Sequence, residues 1–314
     1  MSFIDSVKNE ILSKPIKERH CRIAFLAGLI RGTGSLYEKD GDIGLEIKVA
    51  SEHLASFVSD NLMLLFNYEM REVAVKEDKL NKKDNFTLNV FGENSLEILK
   101  QLEIIKEEDN ELSVNFNFYG ELTKKECCLR AFIRGLFVAI GTCTVPTNNE
   151  KTSTGYHLEL DFSHYTPCLE TSSQLAQFNV LTKITRRKEH FVLYIKSAEE
   201  IKDFLAFLPA PISVLKITDL MINRELSNNS NRQKNCDLGN VNKQVEASQK
   251  QIQAIDKIIQ TIGLDALKDD DKKVCLKRKE NPEDTLSELA SKLNLSKSCL
   301  NHKLRKIVAI ANEL

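Results

Sequence analysis

No apolar run in the 314 residues approaches the ~20 that a membrane span needs, and the opening MSFIDSVKNEIL lacks a signal-peptide pattern. Both absences argue against a membrane partner and point to a soluble protein of the cytoplasm. Zinc-finger spacing is missing too. The eight cysteines, at 21, 127, 128, 143, 168, 236, 275 and 299, include no C-x-x-C pair and no companion histidines at zinc-finger spacing. Neither a metal site nor a disulfide framework is expected from them, and no cofactor is implied. They read as reduced thiols, mostly buried. Cys127 and Cys128 read as the start of a helix, one thiol inward and one outward, in preference to redox chemistry.

A strong charge of either sign is also absent, since the net charge is only −1. The average conceals a split. Residues 1–225 hold 28 Lys+Arg against 33 Asp+Glu, a net −5, whereas residues 241–314 hold 14 against 11, a net +3. From Leu289 to Asn312 there are five basic residues, Lys292, Lys297, Lys303, Arg305 and Lys306, and no acidic one. Phosphate backbones are the commonest partner for such a stretch, the alternative being a solvated helix face.

What is present, first of all, is an internal repeat. Ala24-Phe25-Leu26-Ala27-Gly28-Leu29-Ile30-Arg31-Gly32-Thr33-Gly34 aligns with Ala131-Phe132-Ile133-Arg134-Gly135-Leu136-Phe137-Val138-Ala139-Ile140-Gly141 at an offset of 107. After a loop, each copy alternates with period two, at Ile43, Leu45, Ile47 and Val49 and at Tyr156, Leu158, Leu160 and Phe162, the mark of a strand with one buried face. Leu65-Phe66-Asn67 then matches Gln177-Phe178-Asn179, followed by two more strands and a closing helix in each copy. The expected order is helix, strand, helix, strand, strand, helix, twice, over residues 18–105 and 124–208. Gly28 with Gly32, and Gly135 with Ala139, fall on one face of each leading helix, so the two helices are expected to cross closely at a pseudo-twofold axis. Gly34 and Gly141 suit helix C-caps.

The run Leu26-Ala27-Gly28-Leu29-Ile30-Arg31-Gly32-Thr33-Gly34 resembles the LAGLIDADG signature of homing endonucleases. That resemblance implies a duplicated α/β fold. In active members, an aspartate before the final glycine of each copy holds a catalytic divalent metal at the helix end. The matching positions here are Thr33 and Ile140. Mg²⁺ requires hard, preferably anionic oxygens, and threonine offers one neutral hydroxyl while isoleucine offers none. Glu38, Asp40 and Asp42 follow the first motif, but the second copy has no acidic counterpart after its motif before Glu150. The expectation is a domain that has lost its metals and is not an enzyme, with an active metal-dependent endonuclease as the alternative.

Beyond the Pro209-Ala210-Pro211 break, residues 226–240 are rich in Asn and Ser and read as a flexible linker between a 1–225 domain and a helical 241–314 domain. Val241, Val245, Ile252, Ile255, Ile259 and Ile262 recur at helical spacing up to Gly263, in a helix that either caps the next module or dimerises. Asp269-Asp270-Asp271 reads as a charge cluster at a helix N-terminus rather than a metal site. Between about 284 and 309, Leu286, Leu289, Ala290 and Leu293 form one short helix, Asn294 a left-handed turn, and Ser296 an N-cap for a second helix burying Leu300, Leu304 and Ile307. This is helix-turn-helix grammar, the alternative being a structural helical hairpin. The DNA contact set is then Ser296, Lys297, Ser298, Asn301, His302, Arg305 and Lys306. Ser298, Asn301 and His302 face bases, and Lys297, Arg305 and Lys306 face phosphates. The fold class is α+β: a duplicated α/β domain followed by an all-α helix-turn-helix domain.

Together with Cys127-Cys128-Leu129-Arg130-Ala131-Phe132-Ile133-Arg134-Gly135, Asn235-Cys236-Asp237-Leu238-Gly239-Asn240-Val241-Asn242-Lys243 and Asn301-His302-Lys303-Leu304-Arg305-Lys306-Ile307, the degenerate pair closely resembles the WhiA family of bacterial regulators. The resemblance implies a transcription regulator on double-stranded DNA of the nucleoid, tied to sporulation in some Gram-positive bacteria and to cell division and chromosome segregation more broadly. A protein partner for the acidic N-terminal domain is a further expectation. A division-machinery scaffold with incidental DNA binding is the competing reading.

Overall fold

The structure is a computed structural model that describes residues 2–70, 73–78, 83–92, 94–146 and 155–314. It divides into two compact units, one ending at Ile222 and one running from Asn223 to Leu314. No helix among the described residues is long and apolar enough to cross a membrane.

In the first unit, α1 (Phe3–Ser13) precedes two copies of one fold. The first copy runs α2 (Arg19–Thr33), β1 (Gly34–Lys39), β2 (Asp42–Val49), α3 (Glu52–Phe66), β3 (Val73–Asp78), β4 (Lys83–Val90) and α4 (Ser95–Gln101). A hairpin of β5 (Ile105–Glu108) and β6 (Glu111–Val114) follows. The second copy runs α5 (Glu126–Ile140), β7 (Gly141–Thr144), β8 (His157–Phe162), α6 (Tyr165–Ala176), β9 (Lys183–Arg187), β10 (His190–Ile195) and α7 (Ala198–Phe207). Each copy folds as one antiparallel sheet, in the orders β1-β2-β4-β3 and β7-β8-β10-β9.

Four strands per copy correct the three expected from periodicity. The missed strand follows its helix without a break, because Gly34 and Gly141 are both the helix C-caps and the first strand residues, in extended conformation. The alternation was otherwise legible. Leu45, Ile47 and Val49, and Leu158, Leu160 and Phe162, are buried. Asn67 and Asn179 end their helical stretches at matching points with φ of +52° and +60°. Glu150 lies outside the described residues.

The two leading helices, α2 and α5, are the centre of this unit, and their glycines are where they touch. A Cβ at Gly28 would lie 2.1 Å from the carbonyl oxygen of Phe132, and one at Gly135 would lie 2.0 Å from that of Phe25. Phe25 and Phe132 are themselves repeat mates, so the contact is reciprocal about the pseudo-twofold axis. Gly32 meets Ala139 and Ile140 further along. Around this crossing Arg134 donates to the carbonyls of Ile11 and Lys14, tying α1 to α5.

The Pro-Ala-Pro break separates α7 from α8 (Pro211–Thr261). Glu10 of α1 caps the new helix, accepting from the backbone N–H groups of Ile212 and Ser213 at 2.7 and 2.9 Å and from the Ser213 hydroxyl at 2.6 Å. The helix has 51 residues and includes 226–240, which corrects the flexible linker expected there. Asn and Ser cost only about half a kcal/mol each against alanine inside a helix. The nucleation cost is already met by apolar turns on either side, and Gln233 bonds Asp237 one turn on at 3.0 Å.

The second unit adds α9 (Asp269–Glu280), α10 (Leu286–Lys292) and α11 (Lys297–Glu313). Its core comprises Ala254, Ile255 and Ile258 of α8 with Val274, Cys275, Leu289, Ala290, Leu300, Leu304, Ile307 and Ala311. The end of α8 therefore caps this module. The buried face is rotated from the expected one, since Val241, Val245, Ile259 and Ile262 are exposed. Gly263, with φ +73°, follows the helix as its sequence suggests.

Candidate nucleic-acid interface

The helix-turn-helix is assembled by local rules. Thr285 and Glu288 form a reciprocal capping box that starts α10. Asn294 takes φ +54°, and the N–H of Leu295 returns to the carbonyl of Ala290 at 2.9 Å, closing the turn. Ser296 accepts from the N–H of Cys299 and starts α11, so its hydroxyl is occupied by the cap. The loop that leads into α10 is held by polar side chains of α8 and α9. Arg278, fully buried, donates to the Gln251 side chain at 2.9 Å and to the carbonyl of Asp284 at 2.7 Å. Ser248 donates to the carbonyl of Pro282 at 2.6 Å, and Gln244 to that of Glu283 at 3.2 Å. No sequence signal marked these α8 residues, because their acceptors are backbone carbonyls in a loop some thirty or more residues away.

Leu300, Leu304 and Ile307 face the core, which turns Ser298, His302 and Arg305 outward on the opposite side of α11, with Lys297 exposed at its start and Asn301 half-buried on the flank. The cationic stretch is not uniformly available. Lys292 pairs with Asp284 at 2.7 Å. Lys303 and Lys306 both pair with the buried carboxylate of Asp271 on α9, at 3.3 and 2.8 Å. Burial pushes the Asp271 carboxyl up, but hydrogen bonds and charge from Lys306 and Lys303 outweigh it and hold it below the usual 3.8. Lys306, expected to face phosphate, is thus engaged inside the module. Lys297 and Arg305 make no hydrogen bond or ion pair among the described residues. The Asp269-Asp270-Asp271 run opens α9 as expected and lines a depression beside Ser298 and His302, giving that side of α11 an acidic edge.

The other candidate site is the C-terminal end of the α2–α5 pair. Thr33 and Ile140 are the last residues of the two helices. The Thr33 hydroxyl donates to the carbonyl of Leu29 at 2.9 Å. Glu38, Asp40 and Asp42 are exposed at the β1–β2 turn, roughly 13 Å or more along the strand from Gly34. A cavity of about 620 Å³ opens beside the helix ends, lined by Gly32, Ile140, Asn115, His164 and the pair Asp161–His190, whose Nδ1 lies 2.9 Å from the carboxylate.

Three family models match the chain: the WhiA N-terminal LAGLIDADG-like domain over residues 19–105, the WhiA LAGLIDADG-like domain over 129–227 and the WhiA C-terminal HTH domain over 230–311. The chain is 34% identical over 319 residues to "Probable cell division protein WhiA" of Caldicellulosiruptor saccharolyticus, covering all of this chain and 96% of that one. It is 35% identical over 318 residues to the protein of the same name in Bacillus pumilus, covering all of this chain and 97% of that one. Among solved structures, full-length DUF199/WhiA from Thermatoga maritima superposes with a TM-score of 0.59 at 25% identity, covering 100% of this chain and 99% of that one.

Proposed function

The chain belongs to the WhiA family, and from that membership we propose that it is a sequence-specific DNA-binding transcriptional regulator of the cytoplasm and nucleoid, acting in cell division, chromosome segregation or sporulation. The observation that carries the reading is the outward face of α11, where two unpaired cations, Lys297 and Arg305, flank Ser298, Asn301 and His302. Ser298, Asn301 and His302 meet base edges, while Lys297 and Arg305 hold phosphates on the side away from the acidic edge. Ser296 contributes by starting the helix, and Lys306 contributes only if it leaves Asp271.

The test is binding of the full chain to a duplex selected from a randomised pool, followed across salt concentrations. Lys297→Ala with Arg305→Ala is expected to lower affinity at least tenfold and to flatten the slope of log K against log[salt] by roughly 2, about 0.9 per phosphate lost. An unchanged affinity and slope would remove α11 as the reading helix.

The repeat domain, on this reading, no longer cuts DNA. In support, the Thr33 hydroxyl is committed to its own helix and Ile140 offers no ligand. Supercoiled plasmid incubated with the full chain and Mg²⁺ or Mn²⁺ is expected to stay intact, and metal-dependent linear product would restore the endonuclease alternative. Its net charge of −5 over residues 1–225 favours a protein over a phosphate surface as its partner. Crosslinking of the full chain in cell extract should then capture a protein whose yield survives nuclease treatment.

A further inference from the structure

At the opposite end of the central helix pair from Thr33 and Ile140, the fold gathers a set of side chains that the sequence keeps more than a hundred residues apart. His20 and Cys21 sit in the first turn of α2, and Cys127 and Cys128 in the first turn of α5. The offset is again 107, so His20 is the repeat mate of Cys127 and Cys21 that of Cys128. The pseudo-twofold axis brings the two dyads face to face. One ligand atom from each of the four residues lies within 4.8 Å of all the others. His20 Nδ1 is 3.1 Å from Cys128 Sγ and 3.3 Å from Cys21 Sγ. Among the described residues this is the one such group of histidine, cysteine and carboxylate side chains.

The geometry points to a tetrahedral metal site of one imidazole and three thiolates, His20, Cys21, Cys127 and Cys128, taking Zn²⁺ as a clamp between the two repeats. Zn–S bonds of about 2.3 Å and Zn–N bonds of about 2.0–2.1 Å place tetrahedral ligand atoms roughly 3.6–3.8 Å apart. The present spacings bracket that figure, so rotations about the side-chain torsions close the shell without moving either helix. Three sulfurs and one nitrogen select zinc over the hard cations that carboxylates hold, and they differ in kind from the oxygen ligands of a nuclease centre. Cys21 and Cys128 are buried, whereas Cys127 is exposed and leaves an entry path. On binding, the three thiols each release a proton to solvent, the imidazole binds through neutral Nδ1, and no electron is transferred.

Chain spacing hides the site. Zinc motifs are read from ligands two to four residues apart on one loop, and here each pair is contiguous and the pairs are joined only by the duplication. The same ligand set could instead close a disulfide, which the experiment distinguishes.

The full chain, purified under reducing conditions and stripped with a chelator, is reconstituted with Zn²⁺ and with Co²⁺ as a spectroscopic probe. We expect one Zn²⁺ per chain, together with a thiolate-to-cobalt charge-transfer band and the intense d–d bands of a tetrahedral site. Cys127→Ser, at an exposed position, is expected to weaken Zn²⁺ at least tenfold, and His20→Asn to do likewise, while Cys236→Ser with Cys299→Ser leaves it unchanged. In the unmutated chain, Zn²⁺ should protect Cys127 from alkylation and leave Cys236 and Cys299 reactive, a readout independent of how the variants fold. Zinc affinity equal in the unmutated chain and the Cys127→Ser and His20→Asn variants, or no charge-transfer band, would overturn the site. Loss of two hydrogens per chain with thiols unable to take up metal would assign the cluster to a disulfide.

Discussion

Replacing Gly135 by alanine should unfold the repeat domain far more readily than a single methyl group ordinarily does, at a cost of about 3 kcal/mol or more. The added Cβ would lie 2.0 Å from the Phe25 carbonyl oxygen, 2.9 Å from its carbon and 3.0 Å from the Leu29 nitrogen. All three are backbone atoms of α2, which cannot rotate away as a side chain can. Helix propensity favours alanine by about 1 kcal/mol, so sterics and propensity oppose each other, and sterics win. Gly28→Ala should behave alike, since its Cβ would meet the Phe132 carbonyl at 2.1 Å. Gly239, also helical, has nothing within 4 Å of the same added atom. Gly239→Ala should therefore stabilise its unit by about 0.5–1 kcal/mol. Urea unfolding of the three variants checks both signs. A Gly135→Ala chain as stable as the parent would mean that the helices do not approach this closely.

The second large effect is expected at Asp271. Its carboxylate is buried and takes both Lys303 and Lys306, so Asp271→Ala removes the acceptor of two cations at once. Lys303 and Lys306 can turn toward water, which lowers the cost below that of breaking a fully buried pair, to about 2 kcal/mol. The pH dependence has a definite sign. Because the folded carboxyl titrates below its ordinary 3.8, the pairing contributes fully above the unfolded value and is lost as pH falls through the folded one. Acid unfolding of the second unit, followed below pH 4, should thus be less steep in Asp271→Ala than in the parent. If α11 reads DNA as proposed, the same change frees Lys306 beside the reading face and leaves Lys303 only its 3.6 Å contact with Asp270. Non-specific affinity should rise and its salt slope steepen by up to roughly 2. A variant that keeps full stability and the parent's acid profile would show that the ion pairs form no part of the module.

The two effects show where sequence was enough. The glycine crossing was legible because it follows from a repeat and from helical spacing over four residues, both properties of neighbours in the chain. So were the left-handed Asn294, the Ser296 cap and the helix opening at Asp269, since caps and turns are decided within three or four residues. The helix through 226–240 was not, because its composition argues for disorder and its apolar anchors lie outside the window. The strands β1 and β7 were missed for a related reason: a glycine cap normally announces a loop, and here it begins a strand.

By itself, then, the sequence determined the duplication, the close contact of the paired helices, the threonine and isoleucine that stand at 33 and 140, and the helix-turn-helix. Each rests on residue type and short-range spacing. Tertiary structure alone decided which cations on α11 are unpaired, that Arg278, Ser248 and Gln251 hold the loop leading into α10, and that His20, Cys21, Cys127 and Cys128 meet. Those are questions of partnership between charges, donors and ligands tens to more than a hundred residues apart. Periodicity says which way a side chain points along its own helix, but only the packing of α8 against α9–α11, and of α2 against α5, says what it points at.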